Sequence, residues 1–296
     1  MKSKTALLPR NRKVLLEALD RLSGAANITL VDKAYFLTSK LIETLIGARA
    51  LQRGNNIGTS GRGRAWADHL DRRAPAAVGV ERWDAVLSTY NLLVRSYQRE
   101  GSTAPTVEPF FTALEDAYAN CSNANTRYLL SLLWESRMLA YEYEGRSEVE
   151  LRELDPLMPT MSGVARNWAM RIGDVPFEFL ADTYSQLTPV VRDYIVKASR
   201  MPLSIAGRPY PVPDLRGITT ADSRVDARIQ LADILAGVGR EVARLAMEGT
   251  LDDELQVAVH EMLDNNVMAS SGSPLDLLVE RRPLRYSDDW VSAHWG

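Results

Sequence analysis

Carboxylates recur along one stretch of this chain, Asp222-Ser-Arg-Val-Asp-Ala-Arg-Ile-Gln-Leu-Ala-Asp-Ile-Leu-Ala-Gly237. Asp233 is set among small and apolar residues, where an unpaired charge is costly to bury. It therefore calls for a salt bridge, a bound metal ion, or a place on the surface. On a helical wheel of about 100° per residue, Ile229, Leu231, Ile234, Leu235, Val238, Val242, Leu245 and Ala246 form an apolar arc. Asp233 falls off that arc beside Gly237, Arg240 and Arg244, and Ala232 and Ala236 add almost no side-chain volume around it. Asp226 belongs to the first helical turn, where acids suit the positive end of the dipole. Asp182 ends the alternating stretch Pro176–Ala181, and Asp222 follows the strand-like Gly217–Thr220. Two strand-end acids and a helix acid suit a hard cation such as Mg²⁺, which takes a few carboxylates, waters and substrate phosphates. A pair of such ions would clamp the attacking and leaving oxygens of a phosphodiester. The spacing thus nominates Asp182, Asp222 and Asp233 as metal ligands. The plainer alternative is an exposed Asp233 loosely paired with Arg240.

Other chemistries find less support. Cys121, His69, His260 and His294 show none of the close spacings of a Cys/His zinc site. A Ser-His-Asp triad would have to be assembled without a motif. Residues 52–64, Gln-Arg-Gly-Asn-Asn-Ile-Gly-Thr-Ser-Gly-Arg-Gly-Arg, are Gly-rich and basic, yet no GK[ST] follows and no GxGxxG opens a helix. This segment reads as a linker, or as a loop whose Arg53, Arg62 and Arg64 touch the phosphates of a polyanion.

The elements that must position these residues follow from periodicity. Pro9 opens a helix carried by Val14, Leu15, Leu16, Leu19 and Leu22 and closed at Ser23-Gly24. Asn27–Val31 reads as a short strand delivering Asp32, and a helix follows from Ala34 to Gly47. From Trp66 to about Tyr143 the pattern is helical, with stripes through Trp83–Val94, Phe110–Tyr118 and Tyr128–Leu139. Aromatic stripes at this spacing predict core packing. After the strand at Pro176 come a helix through Val190–Ile195, a Pro/Gly-rich passage from Met201 to Pro213, a helix Arg228–Met247 and a helix Glu254–Leu263.

The chain has 296 residues, a formal net charge of −3 and 46% hydrophobic residues. That is ample for an ordered globular core and gives no global electrostatic attraction to nucleic acid. A single cysteine excludes an internal disulfide. The N-terminus lacks an apolar signal region, and no window matches a membrane span. The expectation is a cytoplasmic protein that does not enter the membrane.

Arg228-Ile-Gln-Leu-Ala-Asp-Ile-Leu-Ala-Gly237, preceded by Asp222-Ser223, resembles the C-terminal signature of the DUF3800 family, bacterial and phage proteins regarded as RNase H-like. Three further segments are similar in the same order: Lys2-Ser-Lys-Thr; Val31-Asp-Lys with Tyr35-Phe36 and Lys40; and Phe177-Glu-Phe-Leu-Ala-Asp182. The resemblance spans roughly residues 2–248, with the block from about 52 to 160 aligned by position only. It implies a helix-rich α/β fold with an RNase H-like mixed sheet, N-terminally incomplete, and a large helical insertion. The implied division is 1–51 and 166–250 as the two parts of the core, 52–165 as the insertion, and 251–296 as a C-terminal helix and tail. It also implies a nuclease-like hydrolase with Mg²⁺ or Mn²⁺, acting on RNA or DNA, with Asp182 and Asp233 as catalytic acids and Asp222 as a further ligand or a helix cap. Asp32 is weaker, a turn acid beside Lys33. The family's opening strand with its Asp-Glu-Ser-Gly-like motif is not seen here. A truncated and inactive form is one reading. A short form acting as a non-catalytic protein- or nucleic-acid-interaction module is the other, with a homo-oligomer or partner supplying the absent strands.

Overall fold

A computed structural model describes residues 5, 7–58, 61–94, 106–144, 157–205, 208–263 and 267–279. The Lys2-Ser-Lys segment, the middle of the 52–64 loop and the chain beyond residue 279 lie outside the described residues. The molecule is helix-rich with few strands, an α/β composition. Among the described residues the strands pair in twos: β1 (Leu30–Val31) with β6 (Val267–Met268) and β2 (Phe177–Asp182) with β5 (Leu215–Ala221), both parallel, and β3 (Ser204–Ile205) with β4 (Arg208–Pro209), antiparallel. No helix of the described residues is long and apolar enough to cross a membrane.

Contacts divide the chain into two compact units, one of Met1–Val31 with Leu157–Arg282, the other of Asp32–Pro156 with Pro283–Gly296. The boundaries fall at Asp32 and Leu157, where 52 and 166 were expected. Two observations account for the shift. The helix after β1 buries Tyr35, Leu41, Ile42, Leu45 and Ile46 in the core of the helical unit. The helix Leu157–Ile172, which the sequence pattern did not separate from the insertion, buries Met158 and Ala165 against the β2–β5 pair.

In the helical unit, α2 (Lys33–Leu41) starts at Asp32, whose carboxylate accepts from the N–H groups of Ala34 and Tyr35 at 2.9 and 3.2 Å. Asp32 is thus a helix cap. The helix runs on through a wider π turn, Ile42–Gly47, into α3 (Ala48–Gln52). Then come α4 (Arg62–Val78), α5 (Val80–Val94), α6 (Glu108–Ala119), α7 (Ala124–Glu135) and the short α8 (Arg137–Ala140). The expected stripes form the core: Trp83, Tyr90, Phe110, Phe111, Leu129 and Leu133 are all buried. The helix expected through Leu139 breaks at Ser136, whose hydroxyl donates back to the Leu132 carbonyl at 2.8 Å, a bond that competes with the helical ladder.

The other unit begins with α1 (Arg12–Leu22), entered through a 3₁₀ turn at Pro9–Asn11. Its later helices are α9 (Leu157–Ile172), α10 (Pro189–Ser199), α11 (Ala227–Met247) and α12 (Asp253–Leu263). One apolar cluster joins α1, β1, α11, α12 and β6 through Leu19, Leu30, Val238, Val242, Val259 and Val267. A second joins α9, α10 and the β2–β5 pair through Ala165, Val191, Ile195, Leu215 and Ile218. Arginines tie loose carbonyls in this unit. Arg166 donates to the carbonyls of Ala198, in the last turn of α10, and Met201, just past it, at 3.2 and 2.6 Å. Arg192 and Arg200 donate to carbonyls on β5. Arg166 thereby satisfies orphan acceptors at the C-terminus of α10, whereas Arg192 and Arg200 tie α10 to β5.

Candidate functional site

β2, α10 and β5 form a parallel strand–helix–strand unit, and its register sets Asp182 opposite Ala221. Ligand sites in parallel α/β sheets lie beyond the carboxyl ends of the strands. That end of this pair carries Asp182, Thr183, Asp222 and Ser223. The Asp182 Oδ1 accepts from the N–H of Thr183 at 2.8 Å and from the N–H of Ser223 at 3.2 Å. Thr183 in turn donates from its N–H and its hydroxyl to the Ala221 carbonyl. The strand-end acid is therefore fixed to the loop that follows the neighbouring strand, and Asp182 and Asp222 are brought to one place.

Asp222 is occupied. Its Oδ1 accepts from the N–H of Arg224 at 2.8 Å, and both carboxylate oxygens accept from the Arg224 guanidinium at 2.5 to 3.0 Å. These hydrogen bonds hold its pKa down to about 2 and raise that of Arg224. The same arrangement repeats four residues on. Asp226 accepts from the Arg228 N–H at 2.9 Å and from its guanidinium at 2.7 and 3.1 Å, which lowers the Asp226 pKa to about 2. Asp226 has an extended backbone, φ −101° and ψ 113°, so it caps α11 from outside. The expectation of Asp226 within the first turn is thereby corrected, and the alternative of Asp222 as the cap falls with it. The Asp-x-Arg repeat, Asp222/Arg224 and Asp226/Arg228, is legible in the sequence. Its signal is an acid in a turn with an arginine two residues later, close enough for the guanidinium to fold back.

The sign of the pH effect follows from the depressed pKa values. Any stability these two acids contribute is present above their unfolded pKa and is lost as the pH falls through about 4 toward 2. Carboxylate NMR titration should find both Asp222 and Asp226 titrating near pH 2. In Arg224→Ala, Asp222 alone should move up toward the ordinary carboxylate range, its backbone hydrogen bond from residue 224 remaining.

Asp233 stands apart. It is exposed on α11, with no hydrogen bond or ion pair among the described residues. It lies seven residues past the cap, about 10 Å along the helix axis at 1.5 Å per residue. The ion pair expected with Arg240 does not form, because seven residues is two full turns and side chains meet across three or four residues. Leu231, placed on the apolar arc, is 40% exposed, while Gly237 and Gly239 are buried. The buried face of α11 is thus centred on Val238, Gly239 and Val242. Among the described residues no group of three or more His, Cys, Asp or Glu side chains is arranged to hold a metal ion.

The basic loop is likewise divided. Arg62 and Arg64 belong to α4 and Arg53 ends α3, so the three arginines do not share one flexible segment. His69 lies buried within 3.1 Å of the Thr126 hydroxyl, a structural position inside the helical core.

Comparison of the chain with protein-family models, with curated proteins and with solved structures found no match.

Proposed function

We propose that the carboxyl end of the β2–β5 pair is the working site, and that its chemistry is divalent-metal-dependent hydrolysis of nucleic-acid phosphodiesters of the RNase H-like kind. The observation that carries this reading is the parallel register, which pairs Asp182 with Ala221, the residue before Asp222, with the Ser223 N–H donating to the Asp182 carboxylate. The resemblance of the Asp222–Gly237 and Phe177–Asp182 segments to the DUF3800 family adds to it.

The donor set fits a water-rich Mg²⁺ or Mn²⁺ on two carboxylates, with substrate phosphate completing the shell. It does not fit a three-carboxylate cage that includes Asp233. Asp182 has one oxygen committed to backbone N–H groups, which orients the other. Asp222 is held by an arginine whose side chain is 86% exposed, and ion pairs in water are weak enough to be exchanged. Such an ion, when bound, acts as a Lewis acid on a phosphate oxygen. Arg224 and Arg228 then stand ready to meet the charge of the substrate backbone.

The test is cleavage of RNA and DNA with Mg²⁺ or Mn²⁺, beside metal titration by calorimetry. Wild type should bind Mn²⁺ and cleave, and Asp182→Asn should do neither. Equal cleavage by Asp182→Asn would sink the assignment, as would a wild type that neither binds metal nor cleaves.

A second reading is favoured by a different observation. In the helical unit Trp134 is 37%, Met138 76% and Tyr141 37% exposed along one side of α7 and α8. Between them the Arg137 guanidinium lies 5.1 Å from the Trp134 ring and 5.0 Å from that of Phe111. Aromatic residues around an arginine recur at protein interfaces. On this reading the chain is an interaction module without catalysis, and Asp182-dependent metal binding would count against it.

A further inference from the structure

A cavity of about 390 Å³ lies between the lead into β1 and one side of α11. Its walls include Asn27, Thr29, Ala232, Ala236, Arg240 and Leu275. The alanines leave space where larger helix residues would fill the gap, and leucine and isoleucine side chains complete an apolar wall. Arg240 is exposed and makes no hydrogen bond or ion pair among the described residues. The carboxylate next to it in the chain, Glu241, is committed elsewhere: its two oxygens accept from Arg244 at 3.1 and 2.6 Å. Arg240 feels the Glu241 carboxylate only through space, and it brings a positive charge without a hydrogen-bonded partner among the described residues to the rim of an apolar cavity.

We propose that this cavity binds a small monocarboxylate with an aliphatic body, its carboxylate on Arg240 and its chain against the alanines of α11. Charge complementarity selects the head group. A guanidinium presents two parallel N–H donors that match a carboxylate, and among the described residues the lining holds one cation, so a doubly charged phosphate would be half compensated. The volume selects the size, since it lies near the lower end of the roughly 300–1,000 Å³ range of small-molecule sites. Asp233 sets the direction. It sits on the same side of α11 as Arg240 by the helical wheel, about 10 Å earlier along the axis, and repels a carboxylate from that end.

Octanoate is the probe, titrated by calorimetry against the whole chain, with octanol as its uncharged counterpart and inorganic phosphate as competitor. Wild type should bind octanoate more tightly than octanol. Arg240→Ala should lose about tenfold in octanoate affinity, equivalent to about 1.4 kcal/mol, and leave octanol binding unchanged. Ala236→Leu, which fills the cavity, should weaken both ligands. Because Arg240 is exposed and unpaired, its replacement should not move the melting temperature, so it decides the matter even if Ala236→Leu fails to fold. Equal octanoate affinity in wild type and Arg240→Ala would overturn the proposal, as would no binding to wild type at millimolar concentration. Displacement of octanoate by phosphate at equal concentration would overturn the carboxylate assignment.

Discussion

Replacing Gly239 by valine should cost about 3 kcal/mol of unfolding free energy, the upper part of the range for overpacking a filled core. Gly239 is buried on α11 where that helix crosses the segment leading into β1. A Cβ placed on it would stand 2.6 Å from the Ile28 Cγ2 and 3.3 Å from the Leu30 Cδ2. The first distance is well inside van der Waals contact, and both neighbours are buried side chains with little freedom to retreat. Alanine should cost less, about 1 to 2 kcal/mol, because the lost space is partly offset by the better helix propensity of alanine, worth up to about 1 kcal/mol. Ile28→Leu removes the offending branch, so the Gly239→Ala loss should shrink in that background. Chemical denaturation of the four proteins forms a double-mutant cycle, and a coupling near zero would show that the two residues do not meet. Gly163 on α9 supplies the contrast. A Cβ there meets nothing within 4 Å, so Gly163→Ala should stabilise by up to about 1 kcal/mol. Equal destabilisation at both glycines would place the cause in the backbone and not in the close approach.

That close approach explains why part of this fold could be read from the chain and part could not. The stripes of α5, α6 and α7 were plain because each is a local period, and Trp83, Tyr90, Phe110 and Phe111 are buried as the period demands, while Tyr118 and Trp134 are exposed. The strand ending at Asp182 was plain for the same reason, as alternation needs only neighbours in sequence. The pairing of β1 with β6, by contrast, joins Leu30 to Val267 across most of the chain, and two-residue strands carry no pattern from which a partner can be chosen. The buried face of α11 was misjudged in a related way. The wheel weighs hydrophobicity, so it favoured Leu231 over Gly239, whereas the packing favours the residue that lets β1 approach. At the site, the meeting of Asp182 and Asp222 rests on a strand register fixed by the crossover through α10. Their residue types suggest a partnership, but only the register sets Asp182 opposite Ala221, the residue before Asp222. Chemistry groups Asp233 with them, but along α11 it lies seven residues past the Asp226 cap, about 10 Å on at 1.5 Å per residue.

The second large effect concerns the helical unit, where Phe110→Ala should lose about 3 to 5 kcal/mol. Phe110 is completely buried. Its ring centroid lies 4.8 Å from that of Phe111 at an interplanar angle of 71°, and 5.7 Å from that of Tyr90. Edge-to-face pairs of this kind add to the burial energy, and alanine leaves a cavity that surrounding helices fill only in part. Tyr90→Phe isolates the polar share. The Tyr90 hydroxyl is buried at 2.8 Å from the Thr44 hydroxyl, and burial pushes its pKa well above the ordinary tyrosine value. Losing that one hydrogen bond should cost about 1 kcal/mol, several times less than losing Phe110. The comparison bears on function because the packing continues to the surface. Phe111, which Phe110 supports, meets Trp134 edge-to-face at 5.5 Å and lies under the Arg137 guanidinium. If the exposed Trp134–Tyr141 side is a working surface, Phe110→Ala should abolish its binding at temperatures where the variant is still folded, while Tyr90→Phe should preserve it. Binding retained at wild-type strength in a folded Phe110→Ala protein would uncouple that surface from the core and remove the main structural support for the interaction reading.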